Sequence, residues 1–307
     1  MDIIETTVSR KIRPELVLGI IAAAAAVLVA VMAVLCLPYY FQNDDPEPHV
    51  HQSGQNLAYT EPNAETAAVE ETEPEETAEP TIPPEGNPYG RLDFQYDRNN
   101  YLYCLRQDSW PGVDVSAFQG TIDWEKVAAS GIKFAMVRLG YRGYGKAGRM
   151  VEDEYAKINL EGAKEAGLQV GAYFFSQALS IEEADEEIEF MMNILGDFPL
   201  DMPIILDWEQ ITVEGSRTTR MDARTLTDIQ LHFCKTVTEM GYQPMIYFNW
   251  YQSTRLMYLH ELEEYPFWLA LYQDRMTYPY RVEMWQYTDK GRVPGIAGDV
   301  DINVYMP

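Results

Sequence analysis

Cysteine is scarce, and its placement carries no pattern: Cys36, Cys104 and Cys234 are an odd set in three separate regions. That spacing argues against a disulfide framework. Cys234, beside Phe233 in a periodic helical stretch, reads as a small buried hydrophobe. Histidine occurs only four times, and His49 and His51 fall in an acidic, proline-rich stretch. The remaining pair, His232 and His260, gives no local support for a histidine-rich metal centre or a Ser-His-Asp triad. Positive charge is also short, with 23 Lys+Arg against 48 Asp+Glu and a formal net charge of −25. A phosphate backbone needs a basic surface, so nucleic acid is not an expected partner.

The acid excess is uneven. Residues 42–90 hold twelve acidic residues and no lysine or arginine, whereas 110–307 hold 17 basic and 30 acidic residues. The acidic stretch is rich in Pro, Glu, Thr and Ala, and too poor in apolar residues to offset the entropy of ordering, which predicts a disordered tether. Repelling charges and prolines should extend it beyond the ~40 Å of a neutral flexible chain of that length. Before it, Leu16–Leu37 runs 22 residues without a charge, about 33 Å as a helix and enough to cross a bilayer. Arg10, Lys11 and Arg13 precede this run and acids follow it. The charge bias predicts a single-pass anchor with a cytoplasmic N-terminus and the rest of the chain outside the cell. A cleaved signal peptide is the rival, but the apolar run is long for one and no small-residue cleavage site follows. The expected organisation is a basic N-terminus (1–15), an anchor (16–41), a tether (42–90), a lead-in (91–111) and one folded domain (112–307). The domain is expected to act as a monomer.

From Gly112 apolar runs alternate with amphipathic stretches. Strands are predicted near Val113–Phe118, Phe134–Leu139, Gln169–Ser176, Pro203–Asp207, Pro244–Asn249, Phe267–Tyr272, Val282–Tyr287 and Val300–Tyr305. Helices are predicted at Trp124–Ala129, Asp153–Ala166, Ile181–Leu195, Arg224–Met240 and briefly after Trp250. In Arg224–Met240 the residues Leu226, Ile229, Phe233, Val237 and Met240 mark one apolar face. Eight strands, with helices between the early ones, predict an α/β fold: a (β/α) barrel with an incomplete helical ring. A doubly wound open sheet is the alternative.

The fourth predicted strand ends in Leu206-Asp-Trp-Glu209. Alternation puts Asp207 and Glu209 on one face and Trp208 on the other, with the two acids' Cα atoms roughly 6.6 Å apart. Each charge opposes ionisation of the other. Such a pair can offer a protonated acid beside an ionised carboxylate, the combination that glycosidic cleavage uses. The plainer alternative is a strand-end pair satisfied by arginines. Asp114, and Asp299 with Asp301, lie in the first and last strand regions, which become neighbours if a barrel closes. An acid among valines and isoleucines is costly unless paired or used, and a buried ion pair to Arg138 is the structural alternative. Gly140–Ala147 nearly spells a phosphate-binding loop, but Ala147 stands where the metal-binding hydroxyl should be.

These blocks together resemble glycoside hydrolase family 25, the muramidases. Gly112–Gly120 with Ile122-Asp-Trp124 is similar to its opening. Gly171–Ser176, Leu206–Glu209, Phe267–Ala270, Trp285–Tyr287 and Val300–Asn303 are similar to its later blocks, in order. The resemblance covers about 112–307 and none of the anchor, tether or lead-in. It implies hydrolysis of the β-1,4 bond between N-acetylmuramic acid and N-acetylglucosamine in peptidoglycan strands. By resemblance, Glu209 is the general acid and Asp207 stabilises the cationic sugar. Asp114 and Asp301 support the acid and position sugar, with Asp299 the weaker candidate. Tyr173, Tyr247, Trp268 and Trp285 resemble the groove's aromatic lining. No metal or other cofactor is implied. A barrel that grips glycan without cutting it, and a metal-dependent hydrolase using the acids as ligands, are the competing functions.

Overall fold

The structure is a computed structural model that describes residues 84–307. The expected anchor lies outside the described residues, as does the tether up to residue 83. Among the described residues no helix is long and apolar enough to cross a membrane.

A small hairpin comes first, β1 (Phe94–Tyr96) against β2 (Leu102–Cys104). It packs onto the domain through buried Phe94, Tyr101, Leu102 and Cys104, with Phe94 edge-on to Trp285 at 5.2 Å. The barrel strands that follow are β3 (Trp110–Val115), β4 (Phe134–Arg142), β6 (Gln169–Ser176), β7 (Ile204–Trp208), β8 (Ile246–Asn249), β9 (Phe267–Ala270), β10 (Met284–Gly291) and β11 (Val300–Tyr305). A short β5 (Met150–Glu152) folds back on the end of β4. The helices are α1 (Trp124–Ala129), α2 (Ala156–Glu165), α3 (Ile181–Leu195), α4 (Ala223–Glu239), α5 (Trp250–Arg255) and α6 (Leu259–Leu262). No helix separates β9 from β10 or β10 from β11, so the helical ring is incomplete.

The sheet runs β7-β6-β4-β3-β11-β10-β9-β8, and one parallel bridge, Ile204 with Pro244, nearly closes it into a barrel. One strand departs from the parallel course of a (β/α) barrel. β11 runs antiparallel to both of its neighbours, β10 and β3. Only eight residues join β10 to β11, and a parallel return would need a crossover of about a dozen or more. The first strand also stops earlier than its apolar run. Ser116 and Gln119 form a reciprocal cap that turns the chain into a 3-10 turn at Ala117–Gln119.

Alternation sorts the side chains into two populations. Outward residues such as Val113, Val137, Phe174, Leu206, Trp208 and Phe248 join the helices in the main core, and Cys234 is buried there as a free thiol. Inward residues Phe134, Met136, Tyr173, Ile205, Met245, Tyr247, Trp268 and Met284 fill the barrel itself. Two glycines make room for that filling. A Cβ on Gly112 would lie 2.3 Å from the Phe134 ring, and one on Gly171 would lie 2.5 Å from the Met136 methyl. The barrel is therefore plugged at one end by large apolar side chains. The polar inward residues lie further along the parallel strands, toward their C-terminal ends.

Candidate active site

The register brings the two outermost acids together: Asp114 of β3 sits directly opposite Asp301 of β11. Because β11 is antiparallel, Asp301 reaches this end of the barrel from the start of its strand, whereas Asp114 and Asp207 come from strand ends. Asp114, Asp207, Glu209 and Asp301 are all buried.

Each carboxylate is oriented by partners from other strands. Asp114 Oδ2 accepts hydrogen bonds from Asn303 Nδ2 at 2.7 Å and Gln286 Nε2 at 3.0 Å. Those amides are fixed in turn. Trp268 Nε1 donates to Asn303 Oδ1 at 2.8 Å, and the Tyr247 and Tyr272 hydroxyls donate to Gln286 Oε1 at 3.2 and 3.0 Å. Asp301 also shares a hydrogen bond with Asp114. Burial raises the Asp301 carboxyl well above the usual range, and the Asp114 charge adds to it. The shift favours the neutral form of Asp301, which can donate to Asp114, whose Oδ2 already accepts from the two amides. Asp207 is also raised well above the usual carboxylate range, first by burial, then by the charges of Glu209 and Asp114, with Arg138 opposing. Burial and these neighbouring charges favour the neutral form of Asp207.

Arg138 lies on the inward face of β4 and pairs with Asp153 at 2.8 Å, both side chains fully buried. Asp153 is in turn held by the backbone amides of Ala117 and Tyr155. This supplies a fixed positive charge beneath the acids.

The seam between β7 and β8 has its own solution. Ile204 bonds across it to Gln243 and Met245 through backbone groups. Leu206 and Trp208 share the parity of Ile204, so their carbonyls face the same gap, where β8 has drawn away. Two buried glutamine side chains take those carbonyls: Gln230 of α4 bonds to Leu206 O at 3.1 Å, and Gln252 of α5 bonds to Trp208 O. A third, Gln177, donates to Glu209 O at 2.6 Å and accepts from Thr218 Oγ1 at 3.1 Å. The segment carrying Asp207 and Glu209 is therefore gripped by side chains where a sheet ladder is missing. Gln177→Leu leaves the Glu209 carbonyl without its side-chain donor in the interior, while the Thr218 hydroxyl keeps Ile211 N and Ser216 Oγ. Urea unfolding of this variant is expected to show a loss of about 1–3 kcal/mol, with kcat reduced more than KM is raised.

Tyr173, Tyr247 and Trp268 lie inside the barrel, stacked edge-on with Trp268 at 6.5 and 4.9 Å from the two tyrosines. Trp285 is placed otherwise. It faces the outer side of β10, fully buried against Phe94 and Tyr287, and donates to Leu271 O. Its neighbour Gln286 takes the inward position. Asp299 is exposed and pairs with Arg292 at 2.8 Å, so of the two nearby acids only Asp301 joins the cluster. The glycine-rich Gly140–Ala147 run is the end of β4 and the start of its turn to β5, and it opens no helix. Gln286, Asn303 and Tyr272 were not singled out by sequence. The available signal was an amide in the middle of each of two buried apolar strands.

A nearly closed barrel whose polar end carries four buried acids has the architecture of a glycoside hydrolase. The family model for "Glycosyl hydrolases family 25" matches residues 113–296, and the chain belongs to that family. Among curated relatives, the uncharacterized protein YegX of Escherichia coli K12 is 31% identical over 209 residues, 63% of this chain and 68% of its own. Lysozyme M1 of Streptomyces globisporus is 27% identical over 208 residues, 63% of this chain and 67% of its own. Among solved structures, the modular autolysin LytC of Streptococcus pneumoniae, in complex with a synthetic peptidoglycan ligand, superposes with a TM-score of 0.58 at 23% identity. That match covers 70% of this chain and 52% of LytC, so the chain spans about half of that protein. The spore cortex lytic enzyme SleM of Clostridium perfringens gives a TM-score of 0.54 at 22% identity, covering 65% of this chain and 67% of SleM.

Proposed function

We propose that this chain is a lysozyme (N-acetylmuramidase), cleaving the β-1,4 bond between N-acetylmuramic acid and N-acetylglucosamine in peptidoglycan. The observation that carries this is the burial of Asp207 and Glu209 at the end of β7, with the cross-strand Asp114–Asp301 pair at the same end of a family 25 barrel. In the proposed reaction Glu209 gives its proton to the leaving glycosidic oxygen. Asp207, whose proton has by then passed to Glu209, stabilises the positive charge at the sugar's anomeric carbon or orients the substrate's acetamido group. Asp114, held by Gln286 and Asn303, and Asp301 beside it support the acid and position sugar. Tyr173, Tyr247 and Trp268 would form the floor and wall against which the ring packs.

The decisive measurement is mass analysis of digested peptidoglycan after borohydride reduction. Reduced muramic acid at the new chain ends is expected; reduced glucosamine there would mean cleavage of the other bond and would overturn the assignment. Activity is expected to persist in EDTA, since the roles above use only side-chain protons and charges. Loss of activity that is restored by a divalent cation would contradict them.

We further propose that Leu16–Leu37 anchors the chain in the cell membrane and that the acidic stretch after it holds the barrel outside, near the wall. Support comes from the length of the uncharged run, the three basic residues before it and the acidic flank after it. Protease added to intact cells is expected to release an active domain of the size of residues 84–307, with the chain otherwise sedimenting with membranes.

A further inference from the structure

Beside the acid cluster lies a cleft of about 460 Å³ that the proposed reaction does not use. One wall is the tip of the β1–β2 hairpin, with Tyr96, Asn99 and Asn100. The others are Tyr272–Asp274 after β9 and the far end of β10 from Tyr287 to Arg292. The cleft abuts the acid cluster. Tyr272, which lines it, bonds through Gln286 to Asp114. Its hairpin wall precedes residue 113, where the family match begins, so this part of the cleft belongs to the chain's own lead-in. The hairpin is tied across the cleft: the Tyr96 hydroxyl donates to Asp274 at 3.4 Å, and its ring meets Tyr287 edge-on at 6.2 Å.

The lining is charged, and with both signs. Lys290 and Asp289 have no ion-pair partner among the described residues, Asp274 meets only the Tyr96 hydroxyl, and Arg292 is held by Asp299. Glycan without its peptides offers one lactyl carboxylate per muramic acid and no amine, which leaves Asp289 and Asp274 unmatched. A short peptide bearing free carboxylates and an amine matches both signs. In peptidoglycan that peptide hangs from the lactyl group of the muramic acid, the sugar whose anomeric carbon is attacked. It must therefore leave the acid cluster close to the attacked sugar, on the side where Tyr272 links the cluster to the cleft.

Accepting the muramidase reading, we propose that this cleft is a subsite for the stem peptide, with Lys290 meeting a peptide carboxylate and Asp289 or Asp274 meeting its amine. The enzyme would then prefer glycan that still carries stem peptides over stripped glycan.

Two measurements on the full chain test this. The first is binding of a free stem tetrapeptide, followed by calorimetry or by chemical shifts, which does not depend on hydrolysis. Binding that weakens in Lys290→Glu and in Tyr96→Ala is expected; no binding at millimolar peptide, or binding unaltered by both variants, overturns the proposal. The second compares kcat/KM on wall glycan with its peptides and on the same glycan stripped by an amidase. Lys290→Glu is expected to lose about five- to tenfold on the peptide-bearing glycan alone, the scale of one reversed, partly desolvated ion pair. Equal loss on both glycans would make the cleft a sugar subsite and overturn the proposal. Failure of the wild-type chain to cut either glycan would instead tell against the muramidase assignment, leaving the peptide-binding result to decide the subsite.

Discussion

Glu209→Gln is expected to lower kcat on peptidoglycan by about 10²–10⁴-fold while the protein remains folded. Glutamine has the shape of glutamate and can keep its buried place, but it has no proton to give to a leaving oxygen. The loss should fall on kcat with little change in KM, because the proton moves only as the bond breaks. Substrates with a good leaving group need less protonation, so an aryl glycoside of the same sugar should recover much of the loss. A Glu209→Gln enzyme that turns over polymer at the wild-type rate would remove Glu209 from the reaction. Unchanged circular dichroism and an unchanged melting temperature are the controls that separate lost chemistry from lost structure.

Asp207→Asn should make a less active but more stable protein. The folded-state acidity of Asp207 is raised by burial and by its neighbours' charges. Between the unfolded value and the raised folded value the native state therefore binds a proton that the unfolded state does not. The slope of stability with pH is negative across that window: the contribution is present in full below the ordinary aspartate range and is lost as pH rises through the folded value. Each unit of displacement corresponds to about 1.4 kcal/mol. Asparagine cannot ionise, so the variant should show a flatter stability–pH curve and a higher melting temperature at neutral pH. For a domain of this size the gain is about 2–4 °C per kcal/mol recovered. Activity should fall by about 10²–10³-fold through loss of charge stabilisation at the sugar. Thermal melts of both proteins from pH 4 to pH 8 decide the matter. Parallel curves would mean that Asp207 titrates normally and that the coupling to Glu209 and Asp114 is not felt.

The cost of holding these acids in the barrel explains how the surrounding residues are chosen. Two tyrosines, a tryptophan, an asparagine and a glutamine serve Asp114 alone. Three further glutamines hold the backbone of β7 where the sheet ladder gives out. Polar groups in such a place are tolerated only when nearly all are satisfied. Substitution within this set is therefore expected to disturb both stability and rate.

Much of this was determined by the sequence alone. The eight strands and the intervening helices were legible because apolar runs and helical faces are local patterns, set by neighbours three or four residues away. Asp207 and Glu209 were legible as a pair because strand alternation puts residues two apart on one face. What the tertiary structure alone decided depends on residues far apart in the chain. The antiparallel course of β11 set Asp114 opposite Asp301. The phase of β10 turned Gln286 inward and Trp285 outward. The gap beside β7 gave Gln177, Gln230 and Gln252 their work. Register and closure are fixed by the packing of the whole barrel, and a one-residue change of phase moves a side chain from the barrel's interior to its outer face. No local pattern contains that information.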